Sequence, residues 1–167
     1  ISGLLAVSEM SIDCSSMVLP VRGGETIKIP DKAQYIRVIV AEMNRIASHL
    51  LAFGTYGLDT GAFTPFLYAF RDRETVLGLF EEICGARLLY NYIRIGGVVK
   101  DLTPDFHHKL RDFLDYFEPQ IDVYNKLLTD NMIFLGRTRG VGVFTAEQAL
   151  SYGWSGPNLR GSGVKWD

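Results

Sequence analysis

Cysteines, long uncharged runs and a surplus of one charge are all scarce in this sequence. Cys14 and Cys84 lie far apart and form no Cys-x-x-Cys pair. The sequence therefore predicts neither a disulfide framework nor a cysteine metal site, and it favours a reducing compartment. The longest run without a formal charge is the 13 residues between Arg45 and Asp59, which is too short for a transmembrane helix of about 20 residues. A net charge of -2 provides no basic surplus for nucleic-acid binding.

Residues 1–29 form an N-terminal segment of uncertain structure. They lack the basic start and cleavage site of a signal peptide, and the first residue is Ile1 rather than Met, which indicates a piece of a longer protein. Two β-prone runs flank Gly23-Gly24 and predict a tight hairpin, in which Pro20 restricts its strand to an edge. Residues 30–167 are expected to form one helical core.

Two long helices are predicted first in this core. Residues 31–53 carry apolar side chains on nearly all sides, with Asp31 as a candidate N-cap, a pattern typical of a helix in the middle of a bundle. Residues 64–93 predict a second helix that begins at Thr64-Pro65. Its Gly78 and Gly85 lie on one face, where another helix could approach closely.

A glycine turn over residues 94–101 precedes a third helix, which is predicted to reach about Thr129 with Pro119 inside it. The last part of the chain alternates short apolar runs with glycines around one small helix, for which Thr145 and Gln148 have the spacing of a capping box. These patterns predict a mainly α fold, a bundle of long helices with small β appendages.

Polar residues follow one face of the first helix. Glu42, Arg45 and His49 are spaced three and four residues apart, which places them side by side. One interpretation is a buried or half-buried ion pair with a hydrogen-bonded histidine. The other is a proton-active lining of an internal cavity, and that interpretation requires Asp59 to join the group.

Asp59 is the only acid in the run HLLAFGTYGLDTGAFTPF. Gly54 and Gly57 would let the chain turn at the helix end and present Asp59 inward among apolar side chains. The alternative is that Asp59 is a structural cap.

Other site chemistries have weaker support. His49, His107 and His108 do not form a metal-ligand set at compatible spacing, so no metal site is predicted. Residues 71–74, RDRE, are interpreted as a solvated or interfacial run of salt bridges. A GxGxxG loop after a strand is missing.

Three runs, residues 35–74, 78–98 and 140–167, carry a resemblance to a known family. They contain HLLAFGTYGLD, GARLLYNYIRIGG and GVGVFTAEQALSYGWSGPNLRG. In this order they resemble the D subunit of bacterial NADH:quinone oxidoreductase, respiratory complex I. The resemblance implies a fold like that of the nickel-iron hydrogenase large subunit, which is a more distant relative, as are components of ferredoxin- and deazaflavin-linked complexes.

The resemblance also implies a site. In this family the quinone, menaquinone or ubiquinone, is reduced in a cleft between the D subunit and the B subunit, which carries an iron–sulfur cluster. A histidine and a tyrosine from the family's N-terminal part bind the quinone, and neither is recognisable here. Asp59 corresponds to the aspartate that pairs with that histidine, and Thr55 to a position lining the same cavity. His49 is expected to have only a supporting role.

Leu89 stands where many members of the family have a histidine near the cluster of the partner subunit. A low-potential quinone such as menaquinone is therefore expected, since a titrating group beside the cluster is missing. The implied partners are the B subunit, the C subunit and the membrane arm, and the whole complex uses NADH. The implied location is peripheral, on the cytoplasmic side of the bacterial inner membrane.

Two further expectations concern the chain by itself. The chain alone is expected to bind no cofactor, to be inactive and to self-associate through apolar surface. The alternative function is a structural or interaction subunit of a related hydrogenase-like, ferredoxin- or deazaflavin-linked complex without chemistry of its own.

Overall fold

The computed structural model describes residues 29–166 and, before them, only two short strands, β1 (Leu19–Pro20) and β2 (Thr26–Ile27). These strands pair antiparallel, with Leu19 opposite Ile27. This register agrees with the predicted hairpin around residues 23–24, although the turn itself lies outside the described residues.

The fold is mainly α with small β appendages, as predicted. The chain divides into two compact units, residues 1–128 and residues 129–167. In the first unit, two long helices precede a β-hairpin and a third helix: α1 (Asp31–Asp59), α2 (Phe63–Cys84), β3 (Ile93–Arg94), β4 (Gly97–Val98) and α3 (Phe106–Tyr124). A π-helix, Asn125–Thr129, follows α3, and three short helices follow in the second unit: α4 (Met132–Thr138), α5 (Ala146–Ser151) and α6 (Gly156–Gly161).

Helices α1 and α2 form an antiparallel pair whose seam follows a heptad-like pattern. Buried residues recur alternately four and three positions apart on both helices. On α1 this stripe consists of Ile36, Val40, Met43, Ala47, Leu50, Gly54 and Gly57, and Arg37 is buried beside it. On α2 they include Pro65, Ala69, Asp72, Val76, Leu79 and Ile83.

Gly54 and Gly57 let the two helices approach each other closely; they do not bend the chain. A Cβ on Gly54 would lie 3.2 Å from the Cα of Phe66 and 3.3 Å from the Cβ of Ala69. A Cβ on Gly57 would lie 3.3 Å from the carbonyl oxygen of Ala62. The prediction that these glycines turn the chain was wrong, because α1 continues through them to Asp59.

Helix α2 ends earlier than predicted. Gly85 has a φ of 78° and its N–H bonds to the carbonyl of Glu81, which is the left-handed C-terminal arrangement that glycine favours. The predicted continuation to residue 93 was therefore wrong. The prediction of close helix packing at Gly78 was also wrong, because a Cβ there would have no neighbour within 4 Å.

A matched pair of substitutions tests this assignment of the glycines. Gly54→Val in the full-length protein is expected to lower the free energy of unfolding by about 1–3 kcal/mol, since the backbone of α2 must move to admit the side chain. At Gly78 a side chain would face open space. Gly78→Val should therefore raise the free energy of unfolding by only a few tenths of a kcal/mol. Chemical denaturation measures both, and equal effects would contradict the assignment.

Aromatic packing attaches the remaining elements of the first unit to the α1–α2 pair. Tyr90 stacks on Phe80 with ring centroids 3.8 Å apart, and Phe106 and Phe113 of α3 are buried in the same core. Pro119 lies within α3 as predicted. In the second unit, the predicted capping box is present: the Thr145 hydroxyl accepts from the N–H of Gln148.

Candidate functional site

Asp59 is the last residue of α1, and its side chain is exposed. The prediction that it points into an apolar interior was wrong for this chain, because the helix carries it past the last buried position, Gly57. Thr55 lies one turn earlier and is half-buried. Its hydroxyl donates to the carbonyl of Leu51 at 2.8 Å. Asp59 and Thr55 thus follow each other along the C-terminal end of α1, as neighbours four residues apart.

Apolar side chains remain exposed around this end of the α1–α2 pair. Four of them lie within two helical turns of the connection between the helices: Tyr56, Leu58, Phe63 and Leu67. We call these four residues the tip patch. Exposed large apolar side chains are typical of a region that another molecule covers. Asp59 is therefore a carboxylate at a helix end where apolar side chains are exposed.

The polar face of α1 points outward. Arg45 Nη2 lies 3.3 Å from the Glu42 carboxylate, and each side chain is about half exposed, so the two residues form the predicted ion pair in its half-buried form and do not line an internal cavity. His49 is exposed as well. Ten residues of α-helix, about 15 Å along the axis, separate His49 from Asp59, which keeps the two side chains from meeting.

Asp72 is a charged residue in the core, although the sequence indicated a solvated or interfacial run of salt bridges. Its side chain is 1% exposed. Arg71 Nε donates to it at 2.7 Å, the Tyr116 hydroxyl donates at 3.1 Å, and the Tyr124 hydroxyl also donates. Burial and the hydrogen bond to Asp72 raise the pKa of Tyr124 above its ordinary range. A signal was available in the sequence, because Asp72 occupies a buried-stripe position three residues after Ala69.

The Asp72 cluster connects α1, α2 and α3. Asp72 belongs to α2, and the two tyrosines belong to α3. The ring of Tyr124 also packs on Phe53 of α1, with centroids 5.1 Å apart. Phe53 precedes Thr55 by two residues, so this cluster supports the part of α1 that carries Thr55 and Asp59.

Residues 86–92 form a loop that several side chains hold in place. Arg87 bonds to Glu81 at 2.8 Å and to Glu74, both on α2. The Tyr90 hydroxyl donates to the side-chain oxygen of Asn44 on α1. In contrast, Leu89 is 91% exposed and Leu88 is 67% exposed. The loop thus presents two apolar side chains outward from a fixed backbone.

The acidic residues of α2 are each paired with a donor. Glu82 accepts from Lys109 Nζ at 2.8 Å and from the Thr103 hydroxyl, and these hydrogen bonds lower the pKa of Glu82. Within the described residues, no group of three or more potential ligands from His, Cys, Asp and Glu is placed to hold a metal ion. None of the helices in the described part combines the length and hydropathy needed to span a membrane.

Comparisons with known proteins find close relatives. The family model for the respiratory-chain NADH dehydrogenase, 49 Kd subunit, matches residues 59–167. The D subunit of the NADH-quinone oxidoreductase of Pelodictyon phaeoclathratiforme is 60% identical over 141 residues, which cover 84% of this chain and 35% of that protein. The corresponding protein of Chlorobium chlorochromatii is 57% identical with the same coverage.

A solved structure gives a similar result for the fold. One chain of the membrane-bound sulfane sulfur reductase, an archaeal respiratory membrane complex, superposes with a TM-score of 0.81 at 34% identity, covering 84% of this chain and 38% of that chain. This chain spans about a third of the length of the curated relatives that it matches.

Proposed function

Because this chain belongs to the family of the 49 kDa subunit of respiratory-chain NADH dehydrogenase, we propose that it forms the helical part of the quinone-reducing D subunit of a proton-pumping NADH:quinone oxidoreductase. The observation that carries the proposal is the family match together with the carboxylate of Asp59, exposed at the end of α1. The test is quinone reduction by the assembled complex, which should depend on Asp59.

In this proposal, the end of the α1–α2 pair that carries the tip patch borders the quinone cavity. A quinone has an apolar ring and tail with two carbonyl oxygens, so its site needs apolar walls and a few polar groups. Tyr56, Leu58, Phe63 and Leu67 provide exposed apolar surface, and Thr55 and Asp59 provide polar groups beside it. The opposite wall belongs to the iron–sulfur B subunit and to the region of the full-length protein that supplies the histidine and tyrosine.

The role of Asp59 is to control a proton. Reduction of a quinone to a quinol takes two electrons, which the cluster of the B subunit supplies, and two protons. A carboxylate next to a histidine stabilises the protonated imidazole and orients it. When the histidine gives its proton to the reduced quinone, Asp59 loses its cationic partner. That change in charge is the event that we connect to proton pumping.

Leu88 and Leu89 contact the B subunit in this arrangement. Their exposure on a loop held by Arg87 and Tyr90 suits a surface that buries apolar side chains without reordering its backbone. Leu89 then lies close to the iron–sulfur cluster of the B subunit. The C subunit and the membrane arm complete the assembly, which places the chain on the cytoplasmic side of the bacterial inner membrane. Menaquinone is the proposed substrate.

A pH titration of the cluster potential tests the role of Leu89. With leucine at this position, the potential of the adjacent cluster in the intact complex is expected to be independent of pH. Leu89→His should introduce a slope approaching about 59 mV per pH unit, since one proton then accompanies each electron. Leu88→His, at the neighbouring exposed position, is the control and should give a smaller slope. A clear slope in the unsubstituted complex would contradict this role.

The second candidate function is a structural subunit of a related complex without chemistry of its own. The observation in its favour is the match to a chain of the sulfane sulfur reductase complex at 34% identity. The 60% identity to a component of NADH-quinone oxidoreductase favours the first candidate. An Asp59 substitution that prevents assembly, rather than turnover, would support the second.

A further inference from the structure

Arg37 is a buried cation with no counter-ion among the described residues. It lies on α1 with 3% of its surface exposed. No acceptor within the described part of the chain reaches its Nε atom. Asp72, the other buried charged residue there, accepts hydrogen bonds from three donors. Among the described residues, the fold therefore provides Asp72 with three donors and leaves Arg37 Nε without an acceptor.

A buried guanidinium without an acceptor is unstable for a physical reason. Arginine cannot lose its proton in a protein, so it cannot become neutral on burial as a lysine or a carboxylate can. Removing such a charge from water costs several kcal/mol unless an opposite charge and hydrogen bonds replace the lost solvent. A position with this cost is expected to have an anionic partner in the complete protein.

Several acids on α1, on α2 and after the β-hairpin are already bonded to other groups. On α1 itself, Glu42 pairs with Arg45, and beyond the β-hairpin Asp101 pairs with Lys32. On α2, each acid has a partner of its own: Arg71 and two tyrosines for Asp72, Arg87 for Glu74 and Glu81, and Lys109 for Glu82. None of the ion pairs among the described residues involves Arg37, so the missing anion must come from outside the described residues.

The site is also separate from the proposed quinone cavity. Arg37 and Asp59 are 22 residues apart on one helix, which corresponds to about 33 Å along its axis. Arg37 borders the buried stripe of α1, since its neighbour Ile36 and Val40, three residues further on, both belong to that stripe. Its requirement for an anion therefore concerns the folding of the protein and is independent of quinone chemistry.

We propose that Arg37 binds one carboxylate side chain of the same protein that lies outside the described residues. Glu9, Asp13 and Glu25 of this chain lie outside them, as does the part of the protein that this chain does not span, about two thirds of the length of the matched relatives. An intramolecular partner fits the burial of Arg37, because a side chain that its own chain already covers is not open to another protein that binds to the finished surface. A carboxylate matches the planar guanidinium with two parallel hydrogen bonds.

Thermal unfolding of the full-length protein tests this proposal through the order of the unfolding midpoints of four variants. Arg37→Met keeps most of the side-chain volume and removes the charge, so the midpoint should fall by several degrees as the carboxylate loses its partner. Arg37→Gln keeps a hydrogen-bond donor but loses the charge, so its midpoint should fall by the same amount. Arg37→Lys keeps the charge and should recover part of the loss. Arg45→Met, at the exposed pair with Glu42, is the control and should change the midpoint little.

Three outcomes would overturn the proposal. An unchanged or higher midpoint for Arg37→Met means that the cation has no partner, since removing an unpaired buried charge stabilises a fold. Full stability of Arg37→Gln means that the acceptor is a neutral carbonyl. A rise of the wild-type midpoint with inorganic phosphate that is absent in Arg37→Met means that the site takes a free anion.

Discussion

Asp59→Asn in the full-length protein is expected to leave the complex assembled and to lower its NADH-driven quinone reduction by roughly 10²- to 10⁴-fold, the range for loss of a group that takes part in proton transfer. Asparagine has the shape of aspartate without its charge, so it cannot stabilise a protonated histidine. Because Asp59 is exposed at the end of α1, its replacement removes no buried contact in this chain. The loss should therefore appear in turnover and not in stability.

Two controls separate chemistry from structure in this experiment. Asp115→Asn changes an exposed aspartate on α3 and should leave quinone reduction unchanged. Reduction of a water-soluble acceptor upstream of the quinone should stay normal in both variants. Normal quinone reduction by the Asp59 variant would refute the proposed role. Failure of that variant to assemble would instead indicate that Asp59 is structural.

Asp72→Leu should be the most destabilising of the substitutions considered for this chain. It removes the acceptor of two tyrosine hydroxyls and of Arg71 Nε. Because Asp72 is only 1% exposed, water does not replace this acceptor, and the hydroxyl of Tyr124 remains a buried donor that has lost it. Loss of one member of a buried network of this kind costs about 3–5 kcal/mol. Chemical denaturation of the full-length protein measures this loss.

Glu74→Gln is the matched control for Asp72→Leu on the same helix. Glu74 pairs with Arg87 at the exposed surface, so its neutralisation should cost less than about 1 kcal/mol. If the two substitutions cost the same, Asp72 does not organise the core. The stability loss for Asp72→Asn should lie between those of the other two variants, because the amide oxygen still accepts from one tyrosine.

Tyr124 makes the stability that the Asp72 cluster provides depend on pH. Burial and the hydrogen bond to Asp72 raise the pKa of Tyr124 from its ordinary value of 10.0, so the folded protein keeps a proton that the unfolded chain releases. The stabilisation is complete below about pH 10 and decreases as the pH rises further. The stability difference between wild type and Tyr124→Phe should therefore stay constant up to about pH 10 and shrink as the pH rises above that value.

Local sequence signals predicted the elements that depend only on local chemistry. The capping box at Thr145 and Gln148, the third helix with Pro119 inside it and the glycine turn before that helix are all present. Each depends on a few residues close together in the chain, so tertiary contacts do not have to be known. The family resemblance, which rests on long ordered motifs, is confirmed by the family match.

The predictions that failed concern residues with two possible environments. Glycines at 54, 57 and 78 look alike in the sequence, yet a Cβ would meet neighbouring atoms only at the first two. Asp72 lies within a charged run, and its burial depends on the two tyrosines that α3 brings from more than 40 positions away. Asp59 looked enclosed because its neighbours are apolar, although those neighbours are exposed too.

The sequence by itself determined the class of fold, the order of the helices and the family, because heptad-like apolar spacing, caps and long motifs act locally or survive as patterns. Only the tertiary structure decided which charges are buried and which of them have partners. It satisfies Asp72, leaves Arg37 Nε without an acceptor in the described residues and exposes Asp59. The physical reason is that burial belongs to the whole packing arrangement, and the same carboxylate or guanidinium can be solvated or enclosed without any change in its neighbours along the chain.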